Sequence, residues 1–115
     1  MARPSKLAAA EITSRLSALP GWSIAGGKLH RELAFADFAQ AFAFMTEVAR
    51  EAEALQHHPE WFNVYNRVVI DLNTHDAGGI TTLDFDLARR VEESGIAADG
   101  ANWLKEAGEA TARAA

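Results

Sequence analysis

The sequence predicts an α+β fold in the order α-β-β-α-β-β-α, with a four-stranded antiparallel sheet and helices packed on one face. Three observations lead there. Apolar residues recur at helical spacing in three separate segments, residues 7–19, 38–55 and 83–91. Two stretches rich in extended-chain residues lie between them, residues 22–35 and 61–74. A turn signal interrupts each stretch: Gly26-Gly27 in the first and Asn66-Arg67 in the second. Two hairpins and segregated helices argue for an antiparallel sheet with its helices on one side.

The elements follow in order. Leu7, Ile12, Leu16 and Leu19 fall near one helical stripe, and Pro20-Gly21 stops it. Residues 22–25 and 28–35 flank the Gly-Gly pair as strands. Leu29, Arg31, Leu33 and Phe35 share one face of the second, and His30 and Glu32 take the other. Asp37 is an N-cap for the longest helix. Its apolar positions are Ala41, Phe42, Met45, Val48, Ala49, Ala52 and Leu55, and Glu47, Arg50 and Glu51 form its polar face. Phe38, Phe42, Phe44 and Met45 are assigned to packing. Pro59 ends this helix, because proline disfavours helical geometry in the residue before it. The run 61–74 is long for one strand; periodicity alone leaves one strand or two open, and the fold order takes two. Residues 75–79, His-Asp-Ala-Gly-Gly, read as a loop. Thr81 or Thr82 then caps a helix through Leu83, Leu87 and Val91 to about residue 94. An Ala-rich extension occupies residues 97–115, either anchored by Trp103-Leu104 or frayed.

At 115 residues with 49% hydrophobic content, one domain with its own core is expected. The absence of cysteine removes disulfides, thiolate nucleophiles and Cys-based zinc sites. A net charge of −5 disfavours nucleic-acid binding. No apolar run approaches a membrane span, and no apolar segment follows the basic residues 1–6, so a cytoplasmic protein without a membrane anchor is expected.

Three of the four histidines, His57, His58 and His75, flank the second hairpin. Imidazole is the side chain best suited to exchange protons near neutral pH. A histidine at a helix C-terminus is also favoured by the dipole alone, so the pair has two readings. Glu53, one turn before His57, lies on the same face if the helix extends that far, where its carboxylate would orient the imidazole. An ordinary solvated pair is the alternative. His75 opens a glycine-containing loop, a frequent location for functional groups. Asp84 in the first turn of the last helix is explained by the helix dipole as readily as by a site. Trp61 and Tyr65 suit a flat aromatic ligand, or a core. A metal site is not expected: there is no HExxH, and adjacent histidines do not readily chelate one ion.

Taken together, EALQHHPEWFNVYNRVVIDLNTHDAGGITTLD resembles the pterin-4a-carbinolamine dehydratase family, also known as the dimerization cofactor of a homeodomain transcription factor. Glu53, His57, His58, Pro59, Tyr65, His75 and Asp84 stand in that family's register, and HHPEWFNVYN is the most specific part. Weaker similarity reaches back through residues 35–38 and 41–45 and includes Trp22; in all it spans roughly residues 16–91, within a core of about 7–96. The resemblance implies loss of water from a 4a-hydroxytetrahydropterin, recycling the pterin used by aromatic amino acid hydroxylases, with no metal or organic cofactor. It implies catalytic roles for His57, His58, His75 and Glu53. It places the pterin against His57, His58, Pro59, Thr74, His75, Asp76 and Ala77, with Asp84 at the edge, counts Trp22 among the substrate-binding residues, and implies a homodimer or homotetramer. Gln56 departs from the acidic residue that many relatives carry before the histidine pair.

Two other readings follow from the same likeness. One is a non-catalytic pterin-binding or coactivator-like module that acts through a protein partner. The other is a relative acting in molybdopterin metabolism.

Overall fold

A computed structural model describes residues 4–94; the extension and its Trp103-Leu104 lie outside the described residues. The chain runs α1 (Ala9–Leu16), β1 (Ser23–Ala25), β2 (Lys28–Ala34), α2 (Phe38–Leu55), β3 (Glu60–Val64), β4 (Arg67–Leu72), a single 3-10 turn (His75–Ala77) and α3 (Thr82–Glu92). All strand pairs are antiparallel, in the order β1-β2-β4-β3. The two hairpins therefore join through their second strands, Leu29 opposite Leu72 and Ala34 opposite Arg67.

Local chemistry accounts for the turns. Gly26 and Gly27 both adopt positive φ, 59° and 78°, as a two-residue hairpin turn matched to strand twist requires. The second hairpin turns at Tyr65-Asn66, one residue earlier than its sequence signal. Tyr65 takes the left-handed conformation, φ 51°, and Arg67 opens β4. Asp37 caps α2 by accepting from the Gln40 N–H at 2.8 Å. α1 is shorter than its apolar stripe suggests: Leu7 precedes it and donates its N–H to the Ile80 carbonyl.

The helices cover one sheet face. Leu29, Leu33 and Phe35 meet Val68, Ile70 and Leu72 beneath Ala41, Phe44, Val48 and Ala52 of α2 and Phe85, Leu87, Ala88 and Val91 of α3. Leu7, Ile12, Leu16 and Leu19 pack at the margin. One assignment changes. Phe44, not Phe42, is the buried aromatic of α2; Phe38 and Phe42 are exposed and lie against each other, ring centroids 5.7 Å apart. At 100° per residue, Phe38 and Phe42 form a second apolar row beside the Ala41–Phe44–Val48–Ala52 row, and the sheet covers only the latter. Tyr65 is exposed at the hairpin tip, and Trp61 packs against the core.

The sheet face opposite the helices carries an ionic cross-strand contact. His30 Nδ1 lies 2.7 Å from Asp71 Oδ1, and its Nε2 lies 2.7 Å from Glu32 Oε2. Carboxylates only accept, so both ring nitrogens must donate, which makes the ring an imidazolium. Burial alone would lower its pKa, but the bonds to Glu32 and Asp71 outweigh burial and hold it above the usual 6.5. With the folded value raised, the stabilisation is complete below about pH 6.5 and is lost as pH rises through the folded value. The urea midpoint should fall across that interval, and His30→Gln should remove this part of the decline. Parallel wild-type and variant pH profiles would contradict it.

Candidate functional site

The site is built where α2 gives way to β3. α2 closes at Gln56, three residues before Pro59, in a left-handed conformation (φ 53°, ψ 41°), and the His57 N–H returns to the Ala52 carbonyl at 3.0 Å. This reversal separates the two adjacent histidines. His57 turns inward and is 4% exposed, whereas His58 turns outward.

The pairing expected from helical spacing is accordingly exchanged. Glu53 does not meet His57; its Oε1 lies 2.5 Å from His58 Nε2, in an exposed pair. The helix ends before His57 can occupy the i+4 position. His57 instead meets Asp84, from 27 residues later, with Nε2 2.5 Å from Oδ1. Asp84 is fully buried.

Asp84 is held from three directions. Its Oδ2 accepts from the Thr74 hydroxyl at 2.9 Å and from the Thr81 backbone N–H at 2.8 Å. The last of these is half of the capping box that Thr81 and Asp84 form, and the Thr81 hydroxyl also accepts from the Leu83 N–H at 3.2 Å. The dipole reading of Asp84 therefore holds and does not exhaust its role: one carboxylate closes the α3 start and meets His57. Thr74 and Thr81 hydroxyls are 2.7 Å apart.

On the surface above, β4 runs out through Asn73 and Thr74 into the 3-10 turn. Gly78 ends that turn at φ 74°, and Thr74 bridges Gly79 across it. His57, His58, Glu60, Asn73, Thr74, His75 and Asp76 line a shallow cavity of about 220 Å³. All three histidines thus reach one concavity from two chain segments. Glu53 stands behind His58, and Asp84 lies beneath His57. Pro59 is half-buried beside the histidines. Ala77 faces a neighbouring hollow with Lys6 and Asp76. Trp22 is not gathered here: its indole N–H donates to Glu92 Oε1 at 2.7 Å, at the far end of α3 from Asp84, and Arg31 Nε donates to the same oxygen at 3.1 Å.

The sequence alone does not single out Glu60 and Asn73 as lining residues or Thr81 as a member of the buried network. The first two are simply the residues that follow Pro59 and precede Thr74. Thr81 had a legible signal in Thr81-x-x-Asp84, the spacing of a capping box.

The arrangement offers imidazoles in different settings around one small cavity: one buried and fixed by a carboxylate, one exposed and paired with a carboxylate, one exposed on a turn. That set can protonate one atom of a ligand while deprotonating another. Among the described residues no group of three or more His, Asp or Glu side chains converges as a metal-ligand set, and no helix is long and apolar enough to cross a membrane.

Comparison with known proteins bears on the same residues. A sequence profile described as pterin 4 alpha carbinolamine dehydratase matches residues 5–94. A protein of Solibacter usitatus, provisionally named pterin-4-alpha-carbinolamine dehydratase, is 59% identical over 88 residues, covering 76% of this chain and 93% of its own length. A similarly named protein of Sinorhizobium medicae is 52% identical over 94 residues, covering 80% and 90%. Among solved structures, a protein of Brucella melitensis described as a transcriptional coactivator/pterin dehydratase superposes with a TM-score of 0.76 at 43% identity, covering 78% of this chain and 98% of that one.

Proposed function

This chain belongs to the pterin 4 alpha carbinolamine dehydratase family, a family of hydro-lyases, and we propose that it dehydrates 4a-hydroxytetrahydropterin to the quinonoid dihydropterin. The observation that carries this reading is the convergence of His57, His58 and His75 on one cavity. In the reaction the C4a–O bond breaks and hydroxide must leave protonated, as water. The N5 electron pair forms the C4a–N5 double bond, and a base removes the N5 proton. One imidazole supplies the acid and another the base; each well-placed transfer contributes about 10²–10⁴-fold.

The pterin lies against His57, His58, Thr74, His75 and Asp76, beside Pro59 and Ala77, with Glu53 orienting His58 and Asp84 orienting His57. The protein works in the cytoplasm, returning pterin to aromatic amino acid hydroxylases, and needs no cofactor. The test is direct. The 4a-hydroxytetrahydropterin is generated in situ and its ultraviolet decay followed with and without the protein. Decay at the buffer rate would end this reading.

The exposed Phe38–Phe42 row supports self-association through α2 as a homodimer or homotetramer. Phe42→Glu is expected to lower the mass measured by light scattering to that of a smaller assembly. An unchanged mass would exclude this row as the interface.

A further inference from the structure

We infer that Thr74 and Thr81 are positioning residues for His57, acting through Asp84, and that their hydroxyls set which ring nitrogen of His57 exchanges a proton. The kinetic part of this inference rests on the dehydratase reading above; the structural part does not.

The number of protons available around Asp84 fixes the direction of these hydrogen bonds. Asp84 is fully buried, and the groups around its carboxylate are donors: the His57 ring, the Thr74 hydroxyl and the Thr81 N–H. A hydroxyl has one proton. Thr74 commits its proton to Asp84 Oδ2, so within the 2.7 Å Thr74–Thr81 contact Thr81 is the donor. Thr81 in turn accepts from the Leu83 N–H. The chain of hydrogen bonds therefore has a single direction, from Leu83 through Thr81 and Thr74 to Asp84. It holds the carboxylate with Oδ1 turned to His57, which must present an N–H at Nε2. In the neutral ring this leaves Nδ1 as the basic nitrogen. Any proton that His57 takes from a ligand enters at Nδ1.

The same count removes the Thr74 hydroxyl from direct work on a ligand. Thr74 is 1% exposed, and its hydroxyl is engaged twice within the protein. Its place at the cavity wall reflects its role as a support.

The test uses the full chain. Nitrogen-15 NMR reports the tautomer of each histidine ring. The neutral His57 ring is expected as the Nε2–H form in the wild type, and as a mixture of tautomers in Thr74→Val. Thr74→Val is expected to lower kcat on the order of 10-fold with KM within about twofold. The pH profile of kcat should change as well, and Thr74→Ser should restore both. An Nδ1–H tautomer in the wild type overturns the inference without any variant, so it remains decidable if Thr74→Val does not fold. A folded Thr74→Val protein with lowered Tm but wild-type kcat and tautomer also overturns it, leaving the hydroxyls only to secure the α3 start. If the wild type shows no dehydration, the enzymatic reading falls while the NMR result still judges the positioning.

Discussion

Replacing Asp84 with alanine is expected to cost about 3–5 kcal/mol of folding stability. The substitution strands the His57 N–H, the Thr74 hydroxyl and the Thr81 N–H together in the interior. It also dissolves the α3 capping box. Against a total of about 5–15 kcal/mol for a domain, the loss removes a large share of the folded population. Asp84→Asn keeps the volume but points an NH2 group at donors that need an acceptor, and should fall between alanine and wild type. Urea unfolding monitored by circular dichroism reads both. A midpoint equal to that of the wild type would mean that this network contributes nothing net.

His58→Ala should behave in the opposite way. His58 and Glu53 form an exposed pair, with side chains 62% and 73% accessible, so stability should change by less than about 1 kcal/mol. On the proposed dehydratase reading, which makes His58 an acid or base at the cavity wall, turnover should fall about 10²–10⁴-fold. Ultraviolet decay of the carbinolamine and a urea midpoint on the same preparation separate the two effects. Wild-type turnover in a folded His58→Ala protein would remove His58 from the chemistry.

The contrast between these neighbours shows where sequence reading reaches and where it stops. The α2 periodicity, its Asp37 cap and the Gly26-Gly27 turn are local signals, and each lies within a few residues of what it controls. The histidines and Asp84 were legible as a group through the family register. Their pairing was not, because it depends on a left-handed residue that is not glycine. Gln56 ends α2 early, so His57 leaves the helix face that Glu53 occupies and reaches a carboxylate from another element. Phe42 and Phe44 differ for a related reason. Both fit an apolar face, and which one is covered depends on where the sheet meets the helix. The joining of β2 to β4 is likewise a tertiary choice that hairpin signals do not specify.

The bond between the Trp22 indole and Glu92 lies far from the histidines, yet it bears on them mechanically. α3 is pinned at both ends by its own carboxylates, Asp84 to the α2–β3 turn and Glu92 to the first hairpin. Eight residues of helix separate the pins, a lever arm of about 12 Å. Released at Glu92, a tilt of roughly 10° about the helix midpoint would move Asp84 by about 1 Å. Displacements of that size are enough to spoil the alignment of reacting groups. Rigidity at the cavity is therefore borrowed from the opposite edge of the sheet.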